Sequence, residues 1–432
     1  MRHHPCVRGN PARSGTGGHL RSPAVTERQS TTTAGDTADV VILGAGPAGL
    51  LLGNLLQRGG VDCVVLERGT REHIQTRARA GFLAAHTVRI LQRHGLADGL
   101  NRDGQDHSTC EFRSDDGRFR LDYSRLGQGE RHTVYPQQAL VSDLLAHYTD
   151  AGGRIRFTTD ALDVRDTGTD RPTVTVRTAD GRPGHWRARY VAGCDGRHGA
   201  ARRSLPAHTV RHHLDHGVSW LGLLADAPPS LDAVGYGVHS RGFAGHMART
   251  STVTRYYLQC ARDTRTDDWP DDRIWAELAL RLRADAYGPL HQGRIGQRGV
   301  VHLESDVIEP LRHGSLFLAG DAASLISPSA AKGANLAVLE AELLAEALLD
   351  DLAHGDPAGL DTYSARCLDH IWRAQEFSHW MIGLLHGSPG TDGEARFRDS
   401  LRRSRISALR DSRAQQDWFA EHYVGVGALR AA

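Results

Sequence analysis

The chain has 432 residues, with 52 Lys and Arg against 51 Asp and Glu and 40% hydrophobic content. That length exceeds one ordinary compact domain, so two or three lobes or one large composite fold are expected. A formal net charge of +1 argues against a nucleic-acid grip or an electrostatic membrane anchor, both of which need a strong basic excess. The six cysteines (Cys6, Cys63, Cys110, Cys194, Cys260, Cys367) include no C-x-x-C pair. Neither a zinc site nor a disulfide framework is indicated, and a reducing cytoplasm is the default location. No apolar run approaches the ~20 residues of a membrane helix. Residues 1–37 are rich in Arg, His, Gly, Ser and Thr and lack the apolar core of a secretory signal. They read as a disordered leader outside the fold. Lys332 is the single lysine, a bias typical of GC-rich coding.

Val40-Val41-Ile42-Leu43 has the apolar, β-branched character of a buried parallel strand. It runs into Gly44-Ala45-Gly46-Pro47-Ala48-Gly49, then an apolar helix that stops at Gly59-Gly60. A second buried strand, Cys63–Leu66, ends in Glu67. In the middle of the chain, turn signals at Asp115-Asp116-Gly117 and Asp180-Gly181 predict hairpins. Helical periodicity covers Gln137–Tyr148. A strand-rich block spans Trp220–Cys260, with a helix expected over Asp271–Arg283. Helices are predicted over Ala331–Leu352, Leu360–Leu385 and from Glu394 onward. No internal repeat is visible.

The glycine loop is the first chemical signal. Gly44 permits a tight turn, Gly46 lets backbone approach a pyrophosphate, and Gly49 lets the helix pack on the strand. The helix N-terminus offers unpaired N–H groups to phosphates. Glu67 stands where an acid holds ribose hydroxyls. Strand, loop, helix, strand and acid in register point to dinucleotide binding. A second strand end, Ala192-Gly193-Cys194-Asp195-Gly196, carries Asp-Gly, and a third, Leu316–Ala319, carries Gly320-Asp321. The carboxylate of Asp321 could accept a hydrogen bond from a polyol. The segment Ala331–Asn335 opens a long helix whose N-terminus could stabilise an anion.

These three elements, in this order, resemble the flavoprotein aromatic hydroxylases, and the similarity narrows to the 4-hydroxybenzoate 3-monooxygenase branch. It covers roughly residues 38–425, including the strings Arg77-Ala78-Arg79-Ala80-Gly81, Trp220–Asp226, Arg241–Ala244, Arg255–Gln259 and His422–Gly425. The resemblance implies an α/β composite (α+β in its sheets), with a discontinuous Rossmann-type FAD-binding domain over 38–110, 130–208 and 298–350. A β-rich substrate domain would occupy 111–129 and 209–297, and a helical region 351–432. It implies FAD as cofactor and NAD(P)H as co-substrate. O₂ would be activated as a flavin C4a-hydroperoxide that attacks the carbon ortho to a phenol. The partners implied are a small aromatic acid and O₂, without nucleic acid or membrane, and a homodimer is compatible with the family.

Residue by residue, Gly44, Gly46, Gly49, Glu67, Arg79, Gln137, Asp195, Gly320, Asp321 and Asn335 would hold FAD. Arg68, Arg77 and His198 would meet NAD(P)H. Tyr236 matches the tyrosine on the substrate phenol, and Tyr423 and His107 match its proton relay. Pro328 matches a proline whose carbonyl faces the substrate hydroxyl. Arg249 and Tyr257 match the residues on the substrate carboxylate, with Trp220 and Met247 beside them. No metal ligand set is implied.

Several positions depart from the family. Met247 stands for a serine on the carboxylate, with His246 as an alternative donor. Ser324, Ser327 and Ala330 replace a histidine, a proline and a glycine near the flavin. Glu304 replaces an arginine that contacts the nicotinamide cofactor, and Arg197 replaces an aromatic residue. A weak hydride-donor site is therefore expected. Two other readings stay open: a hydroxylase of an amino-substituted or carboxyl-masked phenol in secondary metabolism, and a flavin-binding protein without turnover. The seven tryptophans lack the W-x-W-x-I-P signature of a flavin halogenase.

Overall fold

The computed structural model describes residues 36–77, 81–284, 288–387 and 392–425. Residues 1–35 of the expected leader lie outside the described residues, and Asp36–Thr37 already pair with Trp186–Arg187. The apolar run Val40–Leu43 is a fully buried strand near the centre of a six-stranded sheet. Its parallel neighbours are Tyr190–Gly193 and Cys63–Leu66, with Leu316–Leu318 and Arg154–Arg156 next outward. A parallel sheet needs apolar cover. The helices Pro47–Arg58, Gln137–Asp150 and Gly333–His354 contribute it, and their leucines and alanines share one core with the strands.

The second large sheet has eight strands and is almost wholly antiparallel. The predicted hairpin at Asp115–Gly117 joins Thr109–Ser114 to Gly117–Asp122, with Gly117 at φ 112°. One face of this sheet, through Leu221, Leu223, Tyr256 and Leu258, packs on the helix Asp271–Arg281. The opposite face, through Phe112, Trp220, Tyr236 and Phe243, meets Phe377, Met381, Phe419 and Tyr423 from the C-terminal helices. The strand Arg294–Glu309 belongs to this sheet, yet its end residues Val307 and Ile308 pack in the core of the parallel sheet. The border expected near residue 298 thus falls inside one continuous strand shared by both lobes.

Local chemistry explains where helices start. The helix expected from Ala331 begins at Gly333, because Ala331 sits in the left-handed region at φ 53° and ends a short 3₁₀ turn. The terminal helical stretch breaks into Gly393–Asp411 and Arg413–Val424, with the Ser412 hydroxyl accepting from the backbone N–H of Gln415. Among the described residues no helix is long and apolar enough to cross a membrane.

Candidate active site

Three strand ends of the parallel sheet build one cradle. Gly44 adopts φ 94°, and a Cβ there would lie 2.5 Å from the Cys194 carbonyl oxygen. A Cβ on Gly49 would collide with the Gly44 carbonyl. Gly46 has open space around its Cα, and its helix starts without a side-chain cap, so unpaired backbone N–H groups face a cleft. The Glu67 carboxylate is oriented by two backbone donors, Ala45 N–H at 2.8 Å and Gly69 N–H at 2.7 Å. Glu67, Arg68, Asp195 and His198 line this cleft together with Gly44. Burial pushes the Asp195 carboxyl up to about 6, and its Oδ1 is buried without a hydrogen-bond partner among the described residues. An open phosphate seat, a ribose-facing acid and an orphaned carboxylate oxygen fit an adenine dinucleotide.

The Gly-Asp turn closes the cradle from the other side. Gly320 takes φ 64°, and its N–H donates to Glu340 Oε2 at 2.6 Å. Asp321 is half-buried next to Gly196 of the Asp-Gly turn. The Asn335 side chain is fully committed within the protein. Its Oδ1 accepts from Ala84 N–H and the Thr87 hydroxyl, and its Nδ2 donates to the Phe82 and Ala331 carbonyls. All four side-chain hydrogen-bonding positions are used, so a cofactor contact at Asn335 would have to come from its backbone. Asn335 ties the start of the long helix to residues 82–87. Gln137 is half-buried in the first turn of its helix. Arg79 lies outside the described residues. Arg77 is exposed at the end of the helix Arg71–Thr76 and does not line the cleft.

The residues expected to meet the substrate lie in strand register. Tyr236 pairs with Gly245, and Gly245 pairs with Tyr257, so the three share one row and one face of the eight-stranded sheet. A Cβ on Gly245 would lie 2.9 Å from Phe243 Cζ and 3.2 Å from Tyr257 Cδ2. The missing side chain makes room for the Phe243 ring, which lies over Gly245 beside Tyr257. Met247 and Arg255 form the next row. Arg249 follows in the turn that its N–H closes on the Val253 carbonyl, and burial pulls its guanidinium pKa down. His246 faces the opposite side, where its Nε2 accepts from Ser230 N–H and its ring packs on Tyr256. It cannot replace the serine hydroxyl that Met247 lacks. Trp220 lies behind Tyr257, with ring centroids 4.8 Å apart, and its indole N–H donates to His386 Nε2 at 2.6 Å.

The Tyr236 and Tyr423 hydroxyls are 2.7 Å apart and both residues are buried. Burial raises both phenol pKa values, so both hydroxyls stay protonated near neutral pH. His107 bonds not to Tyr423 but to the Tyr123 hydroxyl, at 2.6 Å from its Nδ1. Sequence reasoning missed Tyr123 and His386. No motif marks Tyr123, and no spacing ties His386 to Trp220. Pro328 opens the 3₁₀ turn Pro328–Ala330 and is exposed. The Lys332 ammonium donates to the carbonyls of Tyr423 at 2.7 Å and Gly425 at 3.2 Å, and burial pulls its pKa down to about 7.

Glu304 is not a bare negative charge. Its carboxylate pairs with Arg197 at 2.5 Å and with Arg262 at 3.3 Å, and Arg262 also pairs with Asp215. Arg197, the residue that replaces an aromatic, therefore neutralises the residue that replaces an arginine.

Residues 37–378 match the FAD binding domain family. The chain is 36% identical over 388 residues to p-hydroxybenzoate hydroxylase of Acinetobacter baylyi, covering 90% of this chain and 95% of that protein. It is 28% identical to a 3-amino-4-hydroxybenzoate 2-monooxygenase of Streptomyces platensis, covering 72% and 79%. The structure of p-nitrophenol 4-monooxygenase from Pseudomonas putida DLL-E4 shares the fold, with TM-score 0.77, 21% identity and coverage of 91% and 100%. The chain belongs to the flavoprotein aromatic hydroxylases, enzymes that use FAD as a monooxygenase cofactor. Within them its place is the 4-hydroxybenzoate hydroxylase branch.

Proposed function

We infer that the protein hydroxylates a 4-hydroxybenzoate-like aromatic acid ortho to its phenol, with NAD(P)H and O₂ as co-substrates. The observation that carries this reading is the row Tyr236–Gly245–Tyr257 with the Tyr423 hydroxyl behind Tyr236. In this reading a flat ring lies along this row against Phe243, which covers Gly245. Its phenol can meet the Tyr236 hydroxyl, and an anionic group at the far end can meet Arg249 and Tyr257. A guanidinium suits a carboxylate by bidentate geometry. FAD, when bound, supplies the electrons and the activated oxygen. Gly46 and the helix start at Pro47 would seat its pyrophosphate, Glu67 its ribose, and Asp321 its polyol chain.

The chain's own work is to ionise and to shield. A free phenol near pKa 10 is mostly neutral at pH 7. A hydroxyl pair that draws the proton from the phenol makes the ring carbon a stronger nucleophile. The aromatic wall of Phe112, Phe243 and Trp220 keeps water from the ring.

Met247 favours a more specific substrate. It removes a hydroxyl donor from the carboxylate end and is packed against the aromatic cluster that contains Tyr257. A ring-substituted hydroxybenzoate or aminobenzoate is therefore preferred over plain 4-hydroxybenzoate, in keeping with the amino-substituted acid named for the Streptomyces relative. The test is a panel of phenols with and without carboxylate and amino groups, scored by substrate-dependent NAD(P)H oxidation and by identified product. A carboxylate whose removal leaves kcat/KM unchanged defeats the role given to Arg249. Plain 4-hydroxybenzoate as the best substrate defeats the role given to Met247.

A further inference from the structure

The long helix Ala358–Leu385 runs up to the aromatic face of the eight-stranded sheet, and the residue that caps it there is His386. His386 is buried, and both of its ring nitrogens have partners. Nδ1 lies 3.0 Å from the Ile382 carbonyl, and Nε2 lies 2.6 Å from the indole nitrogen of Trp220. An indole N–H only donates and a carbonyl only accepts. Nε2 is therefore bare and Nδ1 carries the proton, which fixes one neutral tautomer. Burial, with Arg402 and His216 as further positive charges, holds the ring pKa down to about 4, so this tautomer persists at neutral pH.

The grip on the sheet is double. Trp220 stands opposite Gln259 in the ladder, and Gln259 Nε2 donates to the carbonyl of Gly387 at 3.3 Å. Gln259 Oε1 accepts from Phe243 N–H at 3.0 Å. Two facing residues of the sheet thus hold two consecutive residues at the helix end. The Trp220 ring lies 4.8 Å from Tyr257 and 5.1 Å from Phe243, and the imidazole lies 5.2 Å from Phe243. Tyr257 and Phe243 are the rings that border the row through Gly245. Trp220 has a single polar atom, so the partner of that atom decides how the whole ring is turned.

We propose that His386 is a specificity-determining positioning residue: its bare Nε2 holds the Trp220 indole in one orientation, and that indole backs Tyr257 where it meets the anionic end of the aromatic substrate. The inference rests on the reading that Tyr257 and Arg249 meet that end. A buried donor without a partner is costly, so an indole that loses its acceptor turns to find another. The Tyr257 ring then loses its backing and the anionic end loses a fixed contact. The glycine loop, the Asp-Gly turn and the Gly-Asp turn lie at strand ends of the parallel sheet, away from this contact, so flavin binding is spared.

The test is a double-mutant cycle on the FAD-loaded full chain, read as Kd from the flavin spectrum. The probes are 4-hydroxybenzoate and its neutral analogue 4-hydroxybenzamide. His386→Leu keeps bulk and removes the acceptor, and should weaken the acid about fivefold or more with flavin content unchanged. The amide should change by less than about twofold. Trp220→Phe should also weaken the acid, and adding His386→Leu to it should cost less than about twofold more, because the two changes remove one bond. A histidine that only fills space would give additive losses. Should His386→Leu lose flavin, His386→Asn enters the cycle in its place, since its amide can still reach Ile382 but not the indole. Nitrogen-15 NMR supplies a second reading on the wild type. Of the signals from the seven indoles, the one missing in Trp220→Phe should lie downfield and exchange slowly with D₂O. Additive losses, equal losses on acid and amide, or a rapidly exchanging Trp220 signal overturn the positioning role and leave the functional reading standing. A wild type that binds the acid no tighter than the amide overturns the reading of Arg249 and Tyr257, and this inference with it.

Discussion

On the proposed function, a single hydroxyl of Tyr236 separates binding from catalysis. Its ring contributes packing, with Phe112 5.1 Å away, while its hydroxyl contributes the link to Tyr423. Tyr236→Phe keeps the ring and removes the link. FAD content should be unchanged and hydroxylation at least tenfold slower, within the ~10²–10⁴-fold range of general acid–base groups. Product formation per flavin is the measurement, and an unchanged rate would remove Tyr236 from the mechanism. Met247 can be probed in the opposite direction. A hydrogen bond to a charged group is worth ~1.5–3 kcal/mol. Met247→Ser should therefore tighten 4-hydroxybenzoate by roughly tenfold or more, read by equilibrium titration of the flavin spectrum.

At the scale of elements, the strand register sets the site's geometry. Gly245→Ala would place a methyl group between the Tyr236 and Tyr257 rings, too close to Phe243. KM for the aromatic substrate should rise severalfold while flavin content holds, because no cofactor motif is touched. Steady-state kinetics against flavin occupancy separate the two effects. The elements themselves were largely legible in the sequence. The βαβ unit at Val40–Glu67, the hairpin at Asp115–Gly117 and the long C-terminal helices each carry their own periodicity or turn residues. The cross-strand partners were not legible. Nothing in the spacing of His107, Tyr123 and His132 announces that two strands and a 3₁₀ turn converge, and the Glu304–Arg197 pair joins positions over 100 residues apart. Such contacts depend on how sheets are laid together, a tertiary property that local pattern does not encode.

Across the whole molecule, buried imidazoles set the response to acid. Burial holds His86 down to about 3 and His107, His246 and His386 down to about 4. In the unfolded chain these groups titrate near 6.5. Between about pH 6.5 and 4 the unfolded state then binds more protons than the native state, and stability falls as pH drops through that window. Below it the native histidines protonate too and the slope flattens. Glu340 works in the opposite sense. Its carboxyl is pushed up to about 8 by burial, so its contribution is present below about pH 4.5 and is lost as pH rises towards 8. Melting temperature should therefore fall on the acid side of neutral pH. A melting temperature that is flat between pH 7 and 5 would contradict the burial of these rings.

The single lysine has a use that follows from where it is held. Its ammonium is enclosed by the Phe377 ring and the carbonyls at the end of the last helix. Acylating reagents such as N-hydroxysuccinimide esters need a free, deprotonated amine in contact with solvent. Lys332 gives them none until the segment around Tyr423 and Gly425 lifts away. The chain thus carries a built-in footprinting probe, one side chain whose acetylation rate counts how often the C-terminal helix undocks from the flavin lobe. Peptide mass spectrometry after timed labelling should show residue 332 nearly unmodified in the folded protein and fully modified in denaturant. Intermediate rates that change when substrate is added would turn this residue into a clock for opening of the active site.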